Sequence, residues 1–206
     1  MWRLFLAVPL PPEARAAAAG IVESLRPLDW PVRWTAGENA HLTLHFLGEQ
    51  PRERAQLLRM ALPPVVAPHE PFDLRTGNLG VFPNIRRPRV LWLGLFGPTH
   101  RLETLHAALG AALKDLDCSV DGEAFHPHVT LGRVRNQGTP TMPLRDLPEA
   151  MRARLADPAT GVMAGPPSIA IPVDRVELIR SHLSHEGSRY ETIATFPLRR
   201  PEEETP

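Results

Sequence analysis

Two histidines each stand two residues ahead of a threonine, in His41-Leu-Thr43-Leu and His128-Val-Thr130-Leu. Leu42, Leu44 and Phe46 alternate with His41, Thr43 and His45, and Val129 and Leu131 alternate with His128 and Thr130. Such a period of two predicts half-buried strands with an apolar face and a chemical face. On the chemical face an imidazole and a hydroxyl point the same way, about 7 Å apart along the backbone. With an unperturbed pKa of about 6.5, histidine can give or take a proton near neutrality. Each motif therefore presents a proton-transfer group beside a hydrogen-bond donor, and two such motifs can supply general acid and general base chemistry.

The elements that must hold these residues come as a repeat. At an offset of 87 residues, the separation of His41 and His128, Leu4 falls on Leu91, Leu6 on Leu93, Phe5 on Trp92, Pro11 on Pro98 and Thr43 on Thr130. The order strand (Arg3 to Val8), helix (Pro11 to Arg26) and His-x-Thr strand recurs as strand (Val90 to Phe96), helix (Pro98 to Leu116) and strand (Phe125 to Val134). A repeat of this kind predicts two pseudo-symmetric lobes with their His-x-Thr strands facing each other across one cleft. Ala14, Ala17, Ala18, Ile21, Val22 and Leu25 form the apolar stripe of the first helix, and Pro11 and Pro12 suit its first turn. Leu102, Leu105, Leu109, Ala112, Leu113 and Leu116 form that of the second, with Thr99 as expected N-cap and Glu103 near the capping-box position. Between the repeats the pattern predicts a helix over Arg52 to Leu62, a strand over Phe72 to Leu79 and a turn over Gly80 to Arg89. After them it predicts a loop over Asn136 to Pro143, a short helix over Pro148 to Ala156, a loop over Gly161 to Pro167, and a hairpin of Ile169 to Arg180 with Tyr190 to Leu198. Residues 1–198 are expected to form one bilobal domain, and Arg199 to Pro206 a solvated tail.

Composition narrows the class. A chain of 206 residues with 43% apolar content supports a real core. The formal charge is zero, so no global basic field recruits a long nucleic acid, and phosphate binding has to be local. The single Cys118 excludes an internal disulfide framework and a cysteine metal cluster, and is read as a small buried residue. Met1 to Leu10 is too short to span a membrane and lacks a signal-peptide pattern, so a cytoplasmic location is expected.

The residues that carry a resemblance are now in view. The two motifs, with Phe125-His-Pro-His-Val-Thr-Leu-Gly-Arg133, and the segments Arg3-Leu-Phe-Leu-Ala-Val8, Pro88-Arg-Val-Leu-Trp-Leu-Gly94 and Ser181-His-Leu-Ser-His-Glu-Gly-Ser-Arg-Tyr190 resemble the 2H phosphoesterase superfamily. The branch they are similar to is its RNA 2',3'-cyclic phosphodiesterase, or 2'-5' RNA ligase-like, LigT-like, family. That resemblance implies a bilobal α+β fold and opening of a 2',3'-cyclic phosphate on an RNA end to a 2'-phosphomonoester, with no metal or cofactor. By matching motif positions it implies His41 and His128 as catalytic residues, Thr43 and Thr130 as phosphate holders, and Arg133 as the arginine that closes the second motif. With His41 as proton donor and His128 as acceptor, the reaction needs nothing further; the repeat symmetry leaves the reverse assignment open.

Arg133 lies five residues from His128, so strict alternation sends it to the opposite face, unless Gly132 permits a bulge. Phe5, Trp92 and Tyr190 are candidates to stack on a nucleobase, or to fill the core between lobes. His45 and His126 are read as neighbours of the catalytic pair, His69, His100, His106, His182 and His185 as surface residues, and Arg86, Arg87 and Arg89 as part of a solvated turn. Competing readings are a zinc hydrolase built on His126-x-His128, which lacks a His-Glu-x-x-His helix, a non-catalytic RNA-binding relative, a phosphodiesterase for another small cyclic nucleotide phosphate, and a 2'-5' RNA ligase running the same chemistry backward. A monomer is the default, because such a chain completes its own site.

Overall fold

Alternating apolar residues build the strands and proline-flanked apolar stripes build the helices. The computed structural model describes residues 1–84, 88–118, 124–135, 168–183 and 188–199. In chain order these form β1 (Trp2–Pro9), α1 (Pro12–Leu25), β2 (Val32–Trp34), β3 (His41–Gln50), α2 (Arg52–Ala61), α3 (Pro63–Val66) and β4 (Phe72–Phe82). They continue as β5 (Val90–Phe96), α4 (Thr99–Asp115), β6 (His128–Val134), β7 (Ala170–Val173), β8 (Arg175–Leu183) and β9 (Ser188–Pro197). Thr99 is the first helical residue of α4 and not its N-cap; Pro98 holds that position without a side-chain cap, after the turn at Gly97 with φ of +121°. The strand expected over Ile169 to Arg180 divides at Asp174. The loops and helix expected between Asn136 and Pro167, together with Arg86, Arg87, His185 and residues 200–206, lie outside the described residues.

All described strands join one antiparallel sheet in the order β7-β4-β5-β6-β3-β1-β8-β9, with β2 beside β6. The order mirrors itself about the β6/β3 junction: β5 and β1 are the repeat partners that flank it. At the junction Leu42 pairs with Val129, two residues that the 87-residue offset makes equivalent. The His-x-Thr strands therefore lie side by side in one sheet, which corrects the expectation that they face each other from opposite walls. Pairing satisfies the backbone groups that two separate edges would leave open.

The helices cover one face of the sheet. Ala14, Ala18, Ile21, Val22 and Leu25 of α1, Ala55 and Leu58 of α2, and Leu102, Leu105, Leu109 and Leu113 of α4 pack on Leu4, Leu6, Val8, Leu42, Leu44, Leu91, Leu93, Val129 and Leu131, with Cys118 buried among them. Each fully buried leucine contributes roughly 1.5–3 kcal/mol. The other face of β1 and β8 carries a small separate cluster of Phe5, Ala7 and Ile179, with Tyr190 against it.

Register slips at equivalent points of the two central strands. Leu6 pairs with His45 and Ala7 with Thr43, leaving Leu44 extra; Leu91 pairs with Gly132 and Trp92 with Thr130, leaving Leu131 extra. One extra residue reverses the face taken by every side chain after it. His45 and Gly132 thus turn toward the helices, while Phe46 and Arg133 turn to the face of His41, Thr43, His128 and Thr130.

Candidate active site

The antiparallel register centred on Leu42 and Val129 sets His41 across from Thr130 and Thr43 across from His128. The two imidazoles are then diagonal neighbours, about 7–8 Å apart at the backbone.

Each imidazole is fixed in the same way. The Nδ1–H of His41 donates to the Asn39 carbonyl at 2.7 Å, and the Nδ1–H of His128 donates to the His126 carbonyl at 2.6 Å. Asn39 and His126 are repeat equivalents. With Nδ1 committed as donor, Nε2 of each ring is left to take or give the reacting proton. Asn39 is in turn tied down by its own side chain, whose Nδ2–H donates to the Ser188 carbonyl at the start of β9 at 2.6 Å.

The aromatic surroundings match as well. The Phe5 ring lies 4.8 Å from that of His41, and Tyr190 meets His41 edge-on at 5.3 Å. Trp92 lies 6.4 Å from His128, and Phe82 meets it edge-on at 5.0 Å. Burial in this apolar setting pushes the His41 pKa down to about 4, opposed by the Asn39 hydrogen bond and reinforced by Arg133 and His128. His128, nearer the surface, is lowered too, first by burial and then by Arg133 and His126, against the His126 carbonyl bond. Burial thus disfavours the charged form of both rings. Burial also raises the Tyr190 hydroxyl, with Arg133, Arg3 and Arg33 pulling the other way.

The sequence-derived set comes together unevenly. His41, Thr43, His128 and Thr130 share one face, and the bulge at Leu131 brings Arg133 to it. Phe5 is only 2% exposed, so its ring backs His41 and has no free face for a base, a correction to its reading as a stacking platform. Trp92 lies over Gly80 and Gly94, half-buried on the same floor, and Tyr190 is half-buried beside His41. His45 leaves the site altogether. It is 5% exposed, its ring stacks on His106 at 4.0 Å, and its Nε2–H donates to the His106 carbonyl at 2.9 Å. His106 in turn stacks on Phe125 at 4.0 Å, and burial, with His45 alongside, pushes its pKa to about 4. His106 was expected at the surface; the bulge that turns His45 inward gives it a partner.

Three residues escaped the sequence reading. Phe46, counted as core, is 42% exposed on the active face, 6.0 Å from Phe5. It occupies the place in the first repeat that Arg133 holds in the second. Phe82 packs on His128, and Arg33 stands opposite Arg133. The 87-residue offset would have found Phe46 once Arg133 was assigned. Among the described residues no group of three or more His, Cys, Asp or Glu side chains is placed to hold a metal ion, and no helix is long and apolar enough to cross a membrane.

Comparison with known proteins points the same way. Residues 10–185 match the family model described as the 2'-5' RNA ligase superfamily. An RNA 2',3'-cyclic phosphodiesterase of Thermus thermophilus is 34% identical over 204 residues, covering 96% of this chain and 90% of that protein. One of Geobacillus stearothermophilus is 32% identical over 94% of this chain, which spans 56% of that protein's length. The crystal structure of E. coli LigT complexed with 3'-AMP superposes with a TM-score of 0.70 at 25% identity, covering 97% of this chain and 99% of the other.

Proposed function

We propose that this chain, which belongs to the 2'-5' RNA ligase superfamily, is an RNA 2',3'-cyclic phosphodiesterase that opens the cyclic phosphate to a 2'-phosphomonoester by acid-base catalysis from two histidines. The observation that carries this reading is the matched pair of Nδ1–H bonds to the Asn39 and His126 carbonyls. They leave two Nε2 atoms beside two threonine hydroxyls on one face.

In the proposed step His128 Nε2 takes a proton from a water in line with the departing oxygen. The water oxygen bonds to phosphorus, the bond from phosphorus to the ribose 3'-oxygen breaks, and His41 Nε2–H protonates that oxygen. Thr43 and Thr130 donate to the non-bridging oxygens, where charge builds, and Arg133 neutralises it. Burial holds both rings below the ordinary imidazole range, His41 down to about 4, so the acid takes up its proton together with the bound phosphodiester. A bound phosphodiester anion replaces part of the repulsion from Arg133 and favours one proton on the pair. A ribose 5'-hydroxyl in place of the water would give 2'-5' ligation through the same displacement. Tyr190, Trp92 and Phe46 offer ring faces to a terminal base.

The test is a short RNA ending in a 2',3'-cyclic phosphate, incubated with the protein in the presence of chelator. The expected product is the 2'-phosphate, with His41→Ala and His128→Ala each slower by on the order of a hundredfold or more. Near-normal turnover in both variants, or turnover that stops with chelator, would remove the mechanism.

A further inference from the structure

β2 is short, yet it is firmly placed. It occupies the edge of β6 that β3 leaves vacant beyond Leu42 and Val129, pairing Val32 with Val134, Arg33 with Arg133 and Trp34 with Gly132. The Thr35 N–H donates to the Leu131 carbonyl at 2.8 Å, and the Arg135 N–H to the Pro31 carbonyl at 2.7 Å. Gly132 completes the fit: a Cβ there would lie 2.5 Å from Val32 Cγ1 and 3.0 Å from Trp34 Cε3.

The consequence is an opposed pair of like charges. Residues directly across an antiparallel ladder point to the same face, and like charges in that relation destabilise the sheet. Arg33 and Arg133 are both exposed, and among the described residues neither makes an ion pair or side-chain hydrogen bond. Arg3, the third arginine near Tyr190, differs, since Glu49 stands across from it. Two guanidinium groups set opposite each other on the active face suit a ligand that brings more than one phosphate to it. Arg133, next along β6 from the bulge after Thr130, is the nearer to the histidines; Arg33 is one strand further out.

We infer that Arg33 binds a second phosphate of the substrate, the internucleotide phosphodiester on the 5' side of the terminal cyclic phosphate. This rests on the phosphodiesterase reading above and sharpens it. The substrate class becomes oligonucleotides of two or more residues, with mononucleoside cyclic phosphates handled poorly.

The test compares a dinucleotide ending in a 2',3'-cyclic phosphate with the corresponding mononucleoside 2',3'-cyclic phosphate lacking a 5'-phosphate. Arg33→Gln is expected to raise KM for the dinucleotide about tenfold and to change KM for the mononucleoside less than twofold. Arg33→Lys, which keeps the charge, should recover part of the loss. The salt dependence of log KM should fall by about 0.7 per decade of salt, the value for one contact to a single strand. A dinucleotide with a neutral methylphosphonate linkage should cost the wild type the same tenfold and cost Arg33→Gln nothing further. Equal losses on dinucleotide and mononucleoside, or no loss on either, would overturn the inference. If the wild type opened neither substrate, the failure would lie with the phosphodiesterase reading itself.

Discussion

Gly80→Ala would test whether the floor of the site positions His128. Gly80 of β4 lies across from Trp92 of β5, and a Cβ there would sit 2.2, 2.4 and 2.7 Å from Trp92 Cζ2, Cη2 and Cε2. Carbon atoms settle at about 3.5–4.0 Å, so the indole must withdraw by roughly 1 Å or more. It has little room, since Cζ3 already lies 3.0 Å from the Cβ position of Gly94 and Phe82 packs on it at 5.0 Å between ring centres. Overpacking of this kind costs about 1–3 kcal/mol, a fall of about 2–12 °C in melting temperature for a chain of this length. Phe82 is also the edge-on neighbour of His128, and misplacing a catalytic group by about 1 Å can cost on the order of a hundredfold in rate. Thermal unfolding and turnover of the cyclic-phosphate dinucleotide should therefore fall together. Gly20→Ala in α1 is the control: nothing lies within 4 Å of its Cβ position, and the change should stabilise by about 0.5–1 kcal/mol without touching turnover. In a Trp92→Leu background the penalty of Gly80→Ala should shrink, a coupling of about 0.5–3 kcal/mol in a double-mutant cycle. A Gly80→Ala protein with wild-type melting temperature and rate would refute the reasoning.

Two further outcomes follow from the charge environment. Arg133 lowers the pKa of both His41 and His128, so Arg133→Gln should raise both, moving the acid limb of the kcat/KM profile to higher pH while cutting kcat/KM at neutral pH by roughly a hundredfold; an unmoved limb would place Arg133 away from the pair. His106, at about 4 in the native state against 6.5 in the unfolded chain, binds fewer protons folded than unfolded between those values. Stability should rise with pH across that window, by about 1.4 kcal/mol per pH unit for each such site. His106→Phe keeps the stack on His45 and Phe125 and should remove up to one proton's worth of that slope, reduced by the solvent that reaches its ring. Denaturant midpoints at pH 4.5 and 6.5 check it, and parallel wild-type and variant curves would contradict it.

The repeat made most of the fold legible, and its breaks hid the rest. Strands, helices and the two histidine motifs follow from apolar period and the 87-residue offset, because those signals are local or self-comparing. Which face a side chain takes past Leu44 and Leu131 is not local: the parity of an alternating pattern reverses at a bulge, and the bulge is set by register against β1 and β5. That one step misassigned His45 and Phe46 while rescuing Arg133, whose access to the site depended on a bulge next to Gly132. The same positions show how a symmetric scaffold acquires direction. At the equivalent places after each bulge the first repeat has His45 and Phe46 and the second has Gly132 and Arg133. In the first, a buried histidine stack fills the helix side and an exposed aromatic ring faces the site. In the second, the missing side chain lets β2 close against β6 and carries Arg33 to the place across from Arg133. Under the proposed function, an apolar ring on one side and paired cations on the other would give a nucleotide one orientation in which base and phosphates both find partners. Symmetry supplies two equivalently held imidazoles, and in the proposed reaction the asymmetry past each bulge is what gives them different work.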